Sequence, residues 1–407
     1  MRLSEKIKRT IPIAFRLLRE RIVASVSYLM SDKTMRRNVF GRKGYSKRVL
    51  MASIPKAFDK NLPKYHTNLH EIFEIGRIFD QMGYIVDVTT DNNTHIDLSK
   101  YDVIFDGRKI QAEVWRQNIP AKTIIFSPGA HPIFCYEATV KKNLEIKQEK
   151  GIWLTTSSRY LDRTLTGYYV LYFPDHVIVY GNQYVLDQYL KHDTRNDRYS
   201  LLPAFYFDCH KPDIAHKDWN KVRSSICWFG SLGLIHKGLD ICIDLALAHP
   251  EITLHICGAS VREKEFWNYY GPKIKGKTNI INHGFINIES EEFVSIMSEC
   301  AFVVHPSISE GGSPSVLNVV ANGGLIPVCS KACGVDLPED GSIVIDEVTY
   351  DAFEGAMLDA MKWSEDELKA KAQSAYEYVR EHYTLNNYRA NMSKILHNCV
   401  NNYDLNL

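Results

Sequence analysis

Long apolar runs are missing from this 407-residue chain. A membrane-crossing helix needs roughly 18 or more consecutive apolar residues, and the nearest approach, Ile11 to Met30, is broken by Arg16, Arg19, Glu20 and Arg21. Also missing near the start is a short uncharged apolar core followed by small residues, so no secretory leader is expected. Nine cysteines are present but no C-x-x-C pair, and the closest two, Cys329 and Cys333, have no companion ligands in the flanking sequence. That usage argues against a disulfide scaffold or zinc site and fits reduced, mostly buried thiols in a cytoplasmic protein. No internal repeat, low-complexity tract or D-x-D pair of carboxylates occurs.

An overall excess of one charge is missing too, with 49 Lys and Arg against 48 Asp and Glu; 45% of residues are hydrophobic. This is the composition of a soluble globular protein and excludes a disordered or collagen-like chain. The balance is uneven along the sequence. Residues 1–48 hold 14 Lys and Arg against Glu5, Glu20 and Asp32, giving +11, while the rest of the chain is −10. A mildly acidic body argues against nucleic acid as a partner. In the basic segment, 1–46, Ile7, Ile11, Phe15, Leu18 and Ile22 recur at helical spacing, with Lys8, Arg9, Arg16, Arg19 and Arg21 elsewhere around the helix and Pro12 interrupting it. Two readings stand: a helix resting on an anionic membrane surface, which would make the protein peripheral to the inner face of the membrane, or a helix packed on the protein with a solvated basic face.

The length exceeds the roughly 250–300 residues at which one core stops growing, so two domains with a cleft between them are expected. From Lys47 onward, β-type runs alternate with helical periods, the pattern of parallel sheets covered by helices. Expected strands are 48–54, 84–88, 101–105, 123–126 and 177–180, and Leu69, Ile72, Phe73, Gly76 and Phe79 mark a helix stopped by Gly83. A second series follows a polar stretch at 208–220, with strands at 226–229, 252–256, 301–304 and 325–328. The reading is α/β, two Rossmann-like domains facing a central cleft: 47–205, 206–383, and a helical tail at 384–407. The helical text from Trp363 has no strand after it, so it packs on its own domain or back across the first.

Gly271 to Thr278 matches G-x-x-x-x-G-K-[ST], the phosphate-binding P-loop. A P-loop must follow a strand and open a helix; here a helical stretch precedes and strand-like Asn279-Ile280-Ile281 follows, so a basic surface loop is expected instead. A stronger signal is the run Ser307 to Asn318. Ser313 suits an N-cap and Pro314 a first helical residue, with Gly311 and Gly312 leaving the first turn uncovered and its amides suited to a phosphate. Glu310 stands beside that turn. The run Trp228 to Asp240 is another glycine-bearing loop at a strand end, and it carries Lys237. Two such loops at the carboxyl ends of strands in one sheet are where open α/β sheets bind ligands. In the first domain, Phe126 to Pro132 brings His131 to the same kind of edge; its alternative is a hydrogen-bonded turn histidine. His66 is a weaker candidate.

At these residues the sequence resembles the retaining glycosyltransferases of the GT-B fold, the "glycosyl transferases group 1", family 4-like. The resemblance covers about Lys47 to Tyr383. It rests on Phe229-Gly230-Ser231 with Lys237-Gly238, His283-Gly284-Phe285, His305-Pro306-Ser307 with Glu310-Gly311, and Gly323 to Val328. It implies that Glu310 holds hydroxyls of the donor sugar, that the backbone of Gly311, Gly312, Ser313, Pro314 and Ser315 meets the diphosphate with Lys237, that Gly230 lines the nucleotide cleft, and that His131 lies near the reacting sugar. The sequence departs from the family at two places. Asn318 stands where a ribose-binding glutamate is usual, and Ser231 where an arginine is usual, leaving the diphosphate one cation short unless His236 compensates.

Without a D-x-D pair, leaving-group charge would be met by Lys237 and the helix N-terminus, so no metal or cofactor is expected and the nucleotide-diphosphate sugar is a substrate. The resemblance thus implies a metal-independent, retaining hexosyltransferase of polysaccharide or cell-envelope biosynthesis, with a glycan or lipid-linked acceptor. Left open are a GT-B sugar-nucleotide epimerase or phosphorylase, and a catalytically degenerate partner subunit.

Overall fold

The computed structural model describes residues 34–154 and 169–401, apart from residues 66 and 94. His66 and the helix expected over residues 7–22 lie outside the described residues. Strands β1 (Lys47–Ala52), β2 (Tyr84–Thr89), β3 (Val103–Phe105), β4 (Lys122–Ser127), β5 (His176–Tyr180) and β6 (Tyr199–Leu202) pair in parallel in the order β2-β1-β3-β4-β5-β6. Helices α1 (Thr67–Gln81), α2 (Arg108–Arg116), α3 (Pro132–Lys150) and α4 (Gln183–Leu190) join them. The apolar run Val49-Leu50-Met51 is buried completely, as a central strand covered on both faces requires.

The second sheet has β7 (Ser225–Phe229), β8 (Thr253–Cys257), β9 (Ile280–Gly284), β10 (Phe302–His305), β11 (Ile326–Ser330) and β12 (Ile343–Ile345), again all parallel, in the order β12-β11-β10-β7-β8-β9. Its helices are α5 (Trp219–Val222), α6 (Leu239–Ala248), α7 (Lys264–Ile274), α8 (Glu291–Ser298), α9 (Pro314–Gly323), α10 (Tyr350–Ala360) and α11 (Glu365–His382). Gly271 and Pro272 lie inside α7 and β9 follows, so the P-loop look-alike is the end of a helix and a turn. The edge strands β6 and β12 were not expected from the sequence.

The last helix, α12 (Leu385–Asn401), crosses back to the first domain. Arg389 grips Glu74 of α1 through two hydrogen bonds of 2.9 and 2.6 Å, while Tyr388, Met392 and Leu396 enter the core. Two further ties join the domains: Lys142 of α3 pairs with Asp240 of α6 at 3.1 Å, and Lys150 with Asp244 at 2.6 Å. The segment linking the sheets runs along α9. There Asn318 accepts from Phe207 N at 2.8 Å, and Asn322 accepts from the amides of Cys209 and His210 while donating to Phe207 O.

Each sheet reverses its winding once. In the first, successive strands leave β1 toward β2 and then leave β3 in the other direction; in the second, the reversal falls between β7 and β10. Such switch points open a crevice at the carboxyl ends of the strands, because the two adjoining loops turn to opposite faces of the sheet.

Candidate functional site

The loops after β7 and β10 flank the switch point of the second sheet. They are stapled together at His236, whose carbonyl accepts from Ile308 N at 2.9 Å and Ser307 Oγ at 3.0 Å. Gly238, at φ 71°, opens α6 in a left-handed conformation, and a Cβ there would lie 2.3 Å from Pro306 O, so only glycine fits. This packing sets Lys237 facing the next loop, with its Nζ 3.8 Å from Glu310 Oε1. His236 Nε2 stands 3.8 Å from the same oxygen and 3.4 Å from Ser309 Oγ. One carboxylate therefore meets a lysine and a histidine in a nearly enclosed corner.

Glu263 completes the β7 loop and carried no signal in the sequence. Its buried carboxylate, from the loop after β8, accepts from the amides of Gly233 and Leu234 and fixes the turn that leads to Lys237. Gly230 donates its N–H to Cys257 O at 3.0 Å and packs against the Trp228 ring, while Ser231 is exposed.

The segment 311–315 differs in part from expectation. Pro314 is the first helical residue, but Ser313, at φ 21°, does not cap α9 with its side chain; its Oγ donates to Cys333 O at 2.7 Å. The reason is proximity: the turn after β11 runs alongside and offers a carbonyl. Gly311 and Gly312 are buried against the first domain, where a Cβ on Gly311 would come within 2.8 Å of both Pro128 O and Tyr180 O, and one on Gly312 within 2.7 Å of Ala204 Cβ. Their lack of side chains serves domain contact. Pro314 and Ser315 are half-buried.

That contact brings His131 to the same place. His131 precedes α3, and its Nδ1 accepts from Ile133 N at 3.3 Å, an assignment that puts the ring proton on Nε2. Its ring stacks on His192 at 4.5 Å and meets Tyr189 edge-on at 5.0 Å. Burial first, and the neighbouring His192 second, push its pKa down to about 3, so it stands as a neutral donor. One turn further, Cys135 Sγ accepts from Ser309 Oγ at 3.2 Å, tying α3 to the β10 loop across the domain boundary.

The structure thus gathers His131, His236, Lys237, Glu310 and the 311–315 turn. Asn318 is otherwise engaged: its oxygen accepts from Phe207 N and its amide nitrogen donates to Pro314 O at 2.8 Å. Among the described residues no group of three or more His, Cys, Asp or Glu is arranged to hold a metal ion, and no helix is long and apolar enough to cross a membrane.

No family model matches the sequence, and no curated protein does. Solved structures do match. HepE of Anabaena, in complex with UDP and glucose, superposes with a TM-score of 0.56 over 86% of this chain and 99% of its own, at 13% identity. Sucrose-phosphate synthase from Thermosynechococcus elongatus gives 0.62 over 86% and 98%, also at 13% identity. The pneumococcal O-GlcNAc transferase GtfA, in complex with UDP and GlcNAc, gives 0.50 over 76% and 59%, at 15% identity. The fold is GT-B. In GT-B terms the corner built by Lys237 and Glu310 lies on the second domain and the His131 turn on the first, face to face. A cation, a helix N-terminus and a carboxylate so placed can hold a phosphate and a hydroxylated ring side by side.

Proposed function

We propose that this chain is a glycosyltransferase that moves a sugar from a nucleotide-diphosphate sugar to a glycan or lipid-linked acceptor, with retention of configuration and without a metal. The observation that carries the reading is the convergence of Lys237, Glu310 and the N-terminus of α9 at the second switch point, opposite His131. HepE and GtfA bind UDP on the same fold, which supports a nucleotide diphosphate as the donor's leaving group.

In this reading Lys237, His236 and the backbone from Gly311 to Ser315 receive the diphosphate, Gly230 and Ser231 border the nucleotide, and Glu310 orients the sugar hydroxyls. His131, as a neutral donor, faces the sugar from the first domain. The bond from the anomeric carbon to the phosphate oxygen breaks with its electron pair going to the phosphate. The acceptor oxygen then bonds to the same face of the anomeric carbon and passes its proton to the departing phosphate. The cation and the helix terminus stabilise the charge that develops on that phosphate. We assign Asn318 to holding the linker behind the donor loop, since both ends of its amide bond to the chain there.

The basic segment 1–46 would hold the enzyme at an anionic membrane where a lipid-linked acceptor resides. Full-length chain should float with anionic liposomes and a chain starting near Tyr45 should not. For the chemistry, Glu310→Ala and Lys237→Ala should each lower transfer at least about 100-fold while leaving the melting temperature within a few degrees. Full turnover in both variants would overturn the site.

A further inference from the structure

The donor corner occupies the carboxyl ends of the second sheet. A separate cavity, of about 830 Å3, opens at the amino ends, beside Ser225 of β7 and Thr253 of β8. That volume lies within the roughly 300–1,000 Å3 of small-molecule sites. Its walls are α8, through Met297, the carboxyl end of α9 at Gly323, and the linker from His210 to Lys217. Two polar side chains of the lining have bonding capacity left over. Lys217 donates to Met297 O at 2.9 Å and lies over the Trp219 ring at 4.9 Å, and among the described residues no carboxylate comes within ion-pair distance of it. An ammonium has three donors, so one carbonyl and one ring face do not satisfy it. Burial pushes its pKa down to about 8, opposed only by the Cys300 and Cys227 thiols.

The second is His255, 2% exposed yet lining the same cavity. Its ring stacks on His283 at 5.2 Å, and its Nδ1 lies 3.0 Å from His283 Nε2. With His283 donating across that contact, the His255 proton sits on Nε2, the nitrogen that has no hydrogen bond to a described residue. The carboxylates of the lining, Asp213, Asp218 and Glu299, are all exposed, so solvent screens them. Asp213 is also paired with His216 at 2.9 Å, and Asp218 accepts from Lys221 N at 3.0 Å to cap α5. We infer that this cavity binds a small molecule through a phosphate group, with Lys217 and His255 as the anchoring donors. A half-buried cation without a counter-ion is costly, and a bound anion offsets that cost. A phosphate monoester suits the place because its three terminal oxygens can accept from donors on separate elements, here the linker and β8. The site lies at the opposite end of the strands from Lys237 and does not depend on the transferase reading.

The test is calorimetric titration of the full chain with inorganic phosphate, glucose 6-phosphate and glucose, with UDP titrated into the same preparations. Wild type should bind both phosphates, and glucose at least about tenfold more weakly than its 6-phosphate. Lys217→Met, which keeps the apolar stem, should weaken both phosphates at least about tenfold while UDP affinity stays within about twofold. Lys221→Glu, at an exposed position on the rim, should weaken them at least about threefold and carries the test should Lys217→Met fold poorly. Lys237→Ala should leave them within about twofold, since it acts at the other end of the sheet. Wild type that binds neither phosphate, or binds glucose as well as its phosphate, overturns the inference. So does phosphate binding that survives Lys217→Met, or that fails in Lys237→Ala instead, because the phosphate would then occupy the donor corner. Phosphate binding that depends on Lys217 in a chain that binds no UDP overturns the choice of UDP as donor nucleotide and leaves this site standing.

Discussion

Replacing Asn322 with alanine tests how the two domains are held in register. The side chain makes four hydrogen bonds: Oδ1 accepts from Cys209 N at 2.8 Å and His210 N at 2.9 Å, while Nδ2 donates to Phe207 O at 2.8 Å and Asn318 O at 2.9 Å. It is almost wholly buried, so truncation leaves linker amides and a carbonyl without partners and without easy access to water. Net values near 1 kcal/mol for each bond, partly recovered by relaxation, give a loss of about 2–4 kcal/mol. Asn318→Ala removes two bonds, to Phe207 N and Pro314 O, and should cost about 1–2 kcal/mol. Because both side chains hold Phe207, the double variant should depart from additivity by about 0.5 kcal/mol or more. The assay is the urea midpoint of each variant at constant m. A loss below 0.5 kcal/mol for Asn322→Ala would refute the claim that these amides secure the linker.

Lys142→Ala should cost about 3–5 kcal/mol, since it strips the cation from an Asp240 carboxylate that is 1% exposed; a change under 1 kcal/mol in denaturant unfolding would show that the pair does not join the domains. His176 bonds to Ser200 Oγ at 2.9 Å, and burial, with the nearby Lys122 and Arg198 charges, pushes its pKa down to about 4. The unfolded chain therefore takes up a proton below about pH 6.5 that the folded chain refuses until about pH 4, and stability falls with pH across that window. His176→Gln, which keeps a partner for Ser200, should flatten the pH dependence of stability there by up to about 1.4 kcal/mol per pH unit. Parallel wild-type and variant curves would exclude the effect.

What the sequence revealed and what it hid follow from the range of the interactions. Central strands such as β1 and β7 are legible because burial on both faces demands an unbroken apolar run. The edge strands β6, Tyr-Ser-Leu-Leu, and β12, only Ile343 to Ile345, are too short or too polar to stand out. Lys237, Glu310 and the 311–315 turn are legible because glycines and a proline near strand ends have local conformational causes. Glu263, Cys135 and Tyr180 are not, since each acts on residues far away in the chain: Glu263 on Gly233, Cys135 on Ser309, and Tyr180 on Glu71. Asn318 shows the same limit from the other side. Its spacing from Glu310 suggested a ligand contact, whereas a linker about 110 residues earlier claims its amide.

The departure at Ser231 has a measurable consequence for the proposed donor site. Lys237 and Glu310 stand 3.8 Å apart, so the lysine's charge is already partly spent on a carboxylate before any diphosphate is counted. Among the described residues of these two loops, the other groups placed to meet a phosphate are the His236 ring and the N-terminus of α9, and the latter amounts to roughly half a charge. A diphosphate held there would be under-neutralised. Ser231 is exposed on the β7 loop directly after Gly230, so an arginine can be accommodated at that position without displacing a core residue. Ser231→Arg should then add one charge-assisted contact, of about 1–1.5 kcal/mol in this partly open setting, and tighten UDP binding roughly five- to tenfold. Because the added contact is ionic, the gain should shrink as salt rises from low to physiological levels. Calorimetric titration of UDP at two ionic strengths decides it. An unchanged dissociation constant at both would mean that the diphosphate does not lie between the β7 loop and α9, and the donor site would have to be sought elsewhere in the cleft.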